Sequence, residues 1–180
     1  SVYFDDPGYS SVRDNLAGIS TRRKTRLRWY HHDDARNPRD TALEIKHRDG
    51  RLGRKEKFDL PGLEKKLMGL EYRDLFSQVE KHIPARSEFL VTEHFSPTLH
   101  VSYTRQYYEG RDGVRITFDR PVTFYATLPH TRPFENIAIP YRSTIMEIKF
   151  PVEQKNAVAA SLRRLNMTPK RHSKYLTGLA

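Results

Sequence analysis

The feature that most constrains this chain is a two-residue alternation, repeated in five short segments. In "RLRWY", Arg26 and Arg28 share one parity and Leu27 and Trp29 the other. In "LEIKH", Glu44 and Lys46 oppose Leu43 and Ile45. In "RKEKF", Lys55 and Lys57 fall together. In "VRITFD", Arg115, Thr117 and Asp119 oppose Val114, Ile116 and Phe118. In "MEIKF", Glu147 and Lys149 oppose Met146, Ile148 and Phe150. Successive side chains of a strand point to opposite faces, so each segment reads as a strand with one apolar and one charged face.

Turn signals separate these runs. Asp49-Gly50 and Asp112-Gly113 are tight-turn dipeptides between strand-like segments. Strands are expected over 1–5, 23–30, 41–48, 54–59, 88–94, 100–108, 113–119, 122–128 and 144–150. Two helices interrupt them. One is expected over 62–82, with Leu63, Leu67, Leu70, Leu75, Phe76 and Val79 as its apolar stripe. The other covers 151–165, with Val158, Leu162 and Leu165 on one face and Pro151 in its first turn. The Pro-rich stretch 129–141 reads as a loop, and "SKYLTGLA" as a helical turn. The fold class is α+β with mostly antiparallel strands. The 180 residues suit one domain with a real core.

A sheet with one face in the core and one in water explains the pattern without any function. The make-up of the charged face argues for more. Around "KTRLRW" it is nearly all Arg and Lys, where an idle surface mixes signs to limit repulsion. The regular acids on these faces are Glu44, Asp119 and Glu147. Arg and Lys hold phosphate oxygens, and carboxylates hold a hard divalent cation. The chain carries 32 Lys and Arg against 22 Asp and Glu, a net charge of +10, which favours a polyanionic partner. Arg105 shares parity with Tyr103 and Tyr107, so phase leaves it open between a further ligand and a surface arginine over rings.

Other constellations are weaker. "YHHDD" at 30–34 contains metal-ligand residue types, but adjacent histidines diverge on a strand, and the run reads as a solvated loop. "SLRRLN" and "TPKRHSKY" form a basic patch that reads first as a solvated helix face, with polyanion docking as the alternative. No Walker loop, dinucleotide fingerprint or Gly-x-Ser-x-Gly elbow occurs. Without cysteine the chain has neither disulfides nor thiolate metal sites. No apolar run approaches the ~20 residues of a membrane span. The expected location is the cytoplasm or the cytoplasmic face of a membrane, and a membrane partner stays open.

Taken in order, "SVYFDD", "RKTRLRWY", "LEIKHRDG", "GRKEKF", "YTRQYYEGRDGVRITFDR", "MEIKF" and "HSKYLTGLA" resemble the VTC domain. That is the polyphosphate polymerase domain of the triphosphate tunnel metalloenzyme, or CYTH-like, superfamily. The resemblance implies an antiparallel β-barrel forming a cationic tunnel with flanking helices. It implies phosphate binding by Arg26, Arg28, Lys46, Lys55 and Arg115, with Lys57 where arginine is usual. It implies a metal-binding role for Glu147, with Lys149 beside it, and phosphate contacts from Ser173 and Lys174 near a tunnel mouth. Arg105 is a further candidate for phosphate, and Glu44 a weaker one for metal. One departure stands out. Domains of this fold usually begin with a Glu-x-Lys strand, and none precedes Ser1, so residues 1–180 are expected to form the domain without it.

The implied activity moves the γ-phosphate of ATP onto a polyphosphate chain, with Mn2+ or Mg2+ as cofactor. ATP or another triphosphate and inorganic polyphosphate are the implied partners. A triphosphatase, a nucleotide cyclase or a non-catalytic polyphosphate-binding module would use the same clamp. Nucleic acid ranks well below polyphosphate, because Glu44 and Glu147 are liabilities on a surface that binds it.

Overall fold

Residues 1–31, 37–50, 52–83 and 95–180 are described by a computed structural model. Among them the alternating segments assemble into one eight-stranded antiparallel sheet. The strands are β1 (Val2–Asp5), β2 (Arg22–Tyr30), β3 (Arg39–Asp49), β4 (Leu52–Asp59), β5 (Ser96–Glu109), β6 (Arg115–Tyr125), β7 (Ala138–Tyr141) and β8 (Ile145–Lys149). Their order is β4-β3-β2-β1-β5-β6-β7, with β8 also paired to β6. The helices are α1 (Ser10–Leu16), α2 (Glu64–Leu67), α3 (Tyr72–Glu80), α4 (Lys155–Arg164) and α5 (Lys174–Leu179).

The apolar parity packs under the helices. Val2, Phe4, Leu27, Trp29, Leu43 and Ile45 meet Leu63, Leu67, Leu75, Phe76 and Val79 in the main core. Each such side chain contributes about 1.5–3 kcal/mol on burial. The opposite face carries a smaller core, where Tyr3, Leu99, Val101, Val122 and Phe124 are covered by Tyr175 of α5. A Cβ at Gly178 would come within 2.6 Å of both Leu99 and Phe124, so only glycine lets α5 lie this close. The rest of that face is the charged one.

Several expectations change on contact with tertiary structure. The expected barrel is replaced by an open sheet. β4 forms one edge, while β7 and β8 share the other by pairing with successive parts of β6. Among the described residues no strand pairs with both edges. The runs 113–119 and 122–128 join into the single strand β6, because a register shift opposite Tyr103–Arg105 puts Val122 on the same face as Asp119. The helix expected over 62–82 splits into α2 and α3. Between them Glu71 is extended, and the Tyr72 and Arg73 amides bond the carbonyls of Thr131 and Pro129 at 2.9 and 3.0 Å. β7 arises inside the stretch read as a loop. α1 was not expected; the Asp6 carboxylate holds its start, accepting the Gly8 and Ser10 amides at 2.9 and 3.2 Å. Of the stripe expected on the second helix, only Val158 is buried. The strand expected over 88–94 lies outside the described residues, as do His32, Asp33 and Asp34 of "YHHDD". Among the described residues no helix is long and apolar enough to cross a membrane.

Candidate functional site: a cationic groove

The charged parities of β2, β3, β4, β5, β6 and β8 all turn to one side of the sheet. Those of β2, β3, β4, β5 and β8 line an open groove of about 1050 Å³, bounded by β4 on one flank and β8 on the other. This lies at the upper end of small-molecule sites, which span roughly 300–1000 Å³, and leaves room for an extended anion. The segment 167–174 forms a further wall.

Register makes rungs of the charged side chains. Lys24, Lys46 and Lys55 are aligned across β2, β3 and β4. The next rung is Arg26, Glu44 and Lys57. On the other half, Arg105 aligns with Asp119, Thr117 with Glu147, and Arg115 with Lys149.

Two carboxylates lie at the floor and are saturated by cations. The Glu44 side chain is 4% exposed. Arg26 donates to its Oε2 from Nε at 3.0 Å and Nη2 at 2.7 Å. Its Oε1 pairs with Arg28 at 3.0 Å and Lys55 at 2.7 Å. Burial alone would push the Glu44 carboxyl up. The Arg26 charge and the hydrogen bonds from Lys55 and Arg26 outweigh it and hold the pKa below the usual range. Asp119, 1% exposed, is gripped by Arg105 at 2.5 and 2.7 Å and by Lys174 at 2.5 Å. It is likewise pushed up by burial and, on balance, held low by the bonds from Arg105 and Lys174.

Glu147 differs. Its side chain is 46% exposed and meets only Lys149 at 3.3 Å and, at the limit of an ion pair, Arg105 at 3.9 Å. Among the described groove residues it is the carboxylate with coordination capacity left. Among the described residues no group of three or more His, Cys, Asp or Glu is placed to cage a metal. One exposed carboxylate fits the way Mg2+ is commonly held, through one or two carboxylates plus substrate phosphates and water. Glu44 does not fit: three cations occupy it.

The other expected residues divide clearly. Lys46, Lys55, Arg105, Lys149, Ser173 and Lys174 line the groove with Arg26. Arg115 and Lys149 border a smaller pocket that continues past Glu147. Arg28 turns to Glu44 and stacks on Tyr30, and Lys57 pairs with Asp59 at 2.6 Å, so both sit outside the groove lining. For Arg105 the structure joins the two readings: it binds Asp119 and lies over the Tyr103 and Tyr107 rings, 5.2 and 5.8 Å from their centroids. Ser173 and Lys174 strap the two halves together. Ser173 Oγ accepts from Lys24 Nζ at 2.9 Å on β2, while Lys174 reaches Asp119 on β6.

Sequence reasoning missed Lys24, although it shares the parity of Arg26 and Arg28 two residues on. It also passed over Asp119 as the anchor of Arg105. Only the fold shows that β6 brings its carboxylate beneath Lys174.

None of the curated proteins compared with the chain matches it. The family model of the VTC domain matches residues 1–180, so the chain belongs to the VTC domain family.

Proposed function

We propose that the groove binds a triphosphate and a polyphosphate chain and transfers the terminal phosphoryl group of ATP to that chain. The carrying observation is the rung of Lys24, Lys46 and Lys55, of which, among the described residues, only Lys55 has a carboxylate partner. Three lysines side by side repel one another, and a polyanion relieves that repulsion. Membership of a family with a polyphosphate-related function supports the reading.

Phosphoryl transfer asks the protein mainly for positioning and charge neutralisation. A terminal phosphate oxygen of the chain forms a bond to the γ-phosphorus. The bond from that phosphorus to the bridging β–γ oxygen breaks, and ADP departs with the electron pair. The attacking oxygen is already anionic, so no general base is required. Arg26, Lys46, Lys55 and Arg115 hold phosphate oxygens. Glu44 and Asp119 orient the cations around them, and Lys149 flanks the reacting phosphates beside Glu147. Glu147 would hold Mn2+ or Mg2+, which when bound neutralises charge on the phosphate oxygens.

A second reading, binding without turnover, is favoured by one observation: a single carboxylate with free capacity among the described groove residues. Incubation with ATP, polyphosphate primer and Mn2+ separates the readings. Polymerase action lengthens the primer and releases ADP; hydrolysis releases phosphate alone. Glu147→Gln is expected to cut turnover at least about a hundredfold while tripolyphosphate still binds. Turnover unchanged in that variant removes Glu147 from the metal role. Binding with neither product supports the non-catalytic module.

A further inference from the structure

We infer that Lys24 is a phosphate-binding residue of the groove and completes, with Lys46 and Lys55, one subsite spread over three adjacent strands. This rests on the phosphate-groove reading and adds a residue and a coupling to it.

Neighbouring strands lie about 4.8 Å apart, so the rung presents three ammonium groups over roughly 10 Å, about the reach of a short run of polyphosphate. Lys24 is the member nearest the centre of the sheet. It donates to Ser173 Oγ at 2.9 Å, and among the described residues no carboxylate pairs with it. The groups around it are overwhelmingly cationic. Arg22 and Arg26 flank it on β2, Lys46 and then Lys55 continue the rung, and Lys174 follows Ser173, while burial lowers the pKa of His172 and favours its neutral ring. On β1 the Asp5 carboxylate is already taken by the Tyr175 hydroxyl at 2.9 Å and the Ser11 amide at 3.1 Å. Lys24 is half-buried, yet it lines the groove. An ammonium desolvated among like charges, held by one neutral hydroxyl and facing open space, is suited to receive an anion.

The same surroundings set its proton. Burial, then the charges of Arg22 and Lys46, bring the Lys24 pKa down to about 8. Above that pH the free groove carries a largely neutral Lys24. An incoming phosphate favours the ammonium, so binding takes up a proton near pH 8. Arg115 and Lys149, at the other flank, are exposed.

Inorganic tripolyphosphate is the probe, titrated calorimetrically into the protein at pH 7 and pH 9, in two buffers of different ionisation enthalpy. Lys24→Met is expected to weaken binding about tenfold at pH 7, the size of one lost charge-assisted contact. Lys24→Arg keeps its charge throughout. Wild type should therefore lose about tenfold more affinity than Lys24→Arg between pH 7 and 9, and take up a proton that Lys24→Arg does not. The ionisation of the probe itself is common to both. Lys24→Met should melt at or above the wild-type temperature, because it removes an unpaired, half-buried charge. If it does not fold, the comparison with Lys24→Arg decides alone. Wild-type affinity in Lys24→Met, or equal pH slopes in wild type and Lys24→Arg, overturns the role of Lys24 only. Folded wild type that takes up no tripolyphosphate overturns the groove reading as well.

Discussion

In β3 the tripeptide Glu44-Ile45-Lys46 lies between two strands, with helices beneath it. In β8 the same tripeptide, Glu147-Ile148-Lys149, is paired on one side only among the described residues. Ile45 is fully buried in the main core, whereas Ile148 is half-exposed. Glu44 is enclosed by Arg26, Arg28 and Lys55, whereas Glu147 opens to the groove with Lys149 at its side. Identical residues thus take different work from their place in the sheet. The interior copy supports the floor, and the edge copy leaves its carboxylate exposed at the groove.

The widest gap should be at the isoleucines. Ile45→Ala is expected to lower stability by about 4 kcal/mol, the range for a fully buried aliphatic side chain. Ile148→Ala should cost about 1 kcal/mol, since neighbours cover it only in part. Urea denaturation of the two variants gives both numbers, and equal losses would erase the distinction between the strands.

The glutamates come next. Glu44→Gln leaves Arg26 and Arg28 on the charged face without their carboxylate and should cost about 2 kcal/mol, below the 3–5 of a fully buried pair. Glu147→Gln should stay within about 0.5 kcal/mol, as exposed positions do. Acid sharpens the contrast. The folded-state pKa of Glu44 lies below its unfolded value of about 4.3. The stabilisation is therefore fully present above that value and is lost as pH falls through the lower folded one. The cost of Glu44→Gln should shrink over the same interval, and Asp119 should make wild type itself less stable there in the same direction. A cost of Glu44→Gln that holds constant down to pH 2 would show that packing, not charge, is what Gln disturbs.

Much of this was legible in the residues. Parity alone separated Arg26, Glu44, Lys46 and Glu147 from Leu27, Ile45 and Ile148, because a strand has only two faces. The family resemblance came from the order of those strands. Pairing was not legible. Nothing within "LEIK" or "MEIK" says that one strand is interior and the other an edge, since that depends on what aligns from distant parts of the chain. For the same reason the sheet could be expected to close although, among the described residues, its edges are left unpaired. The division of the expected helix into α2 and α3 came from carbonyls near residue 130 capturing the Tyr72 and Arg73 amides. No periodicity within 62–82 encodes that.

The smallest effects are at the two lysines, and there the signs should differ. Lys46 stands between Lys24 and Lys55 in the aligned rung, so its charge adds repulsion to the free protein. Lys46→Met should stabilise the fold by about 0.5 kcal/mol at low salt. The gain should fade near 1 M salt, where the screening length is about 3 Å. Lys149 is 61% exposed and pairs with Glu147. Lys149→Met should therefore cost up to about 0.5 kcal/mol, within the range of surface ion pairs, and this too should fade with salt. Saturating tripolyphosphate adds a second axis. It should raise the melting temperature of wild type more than that of Lys46→Met, because the ligand relieves repulsion that the variant no longer has and loses a contact that the variant no longer offers. If Lys46→Met is destabilised at low salt, the lysine rung is held by attractions other than a bound anion, and β3 and β8 differ less than their carboxylates suggest.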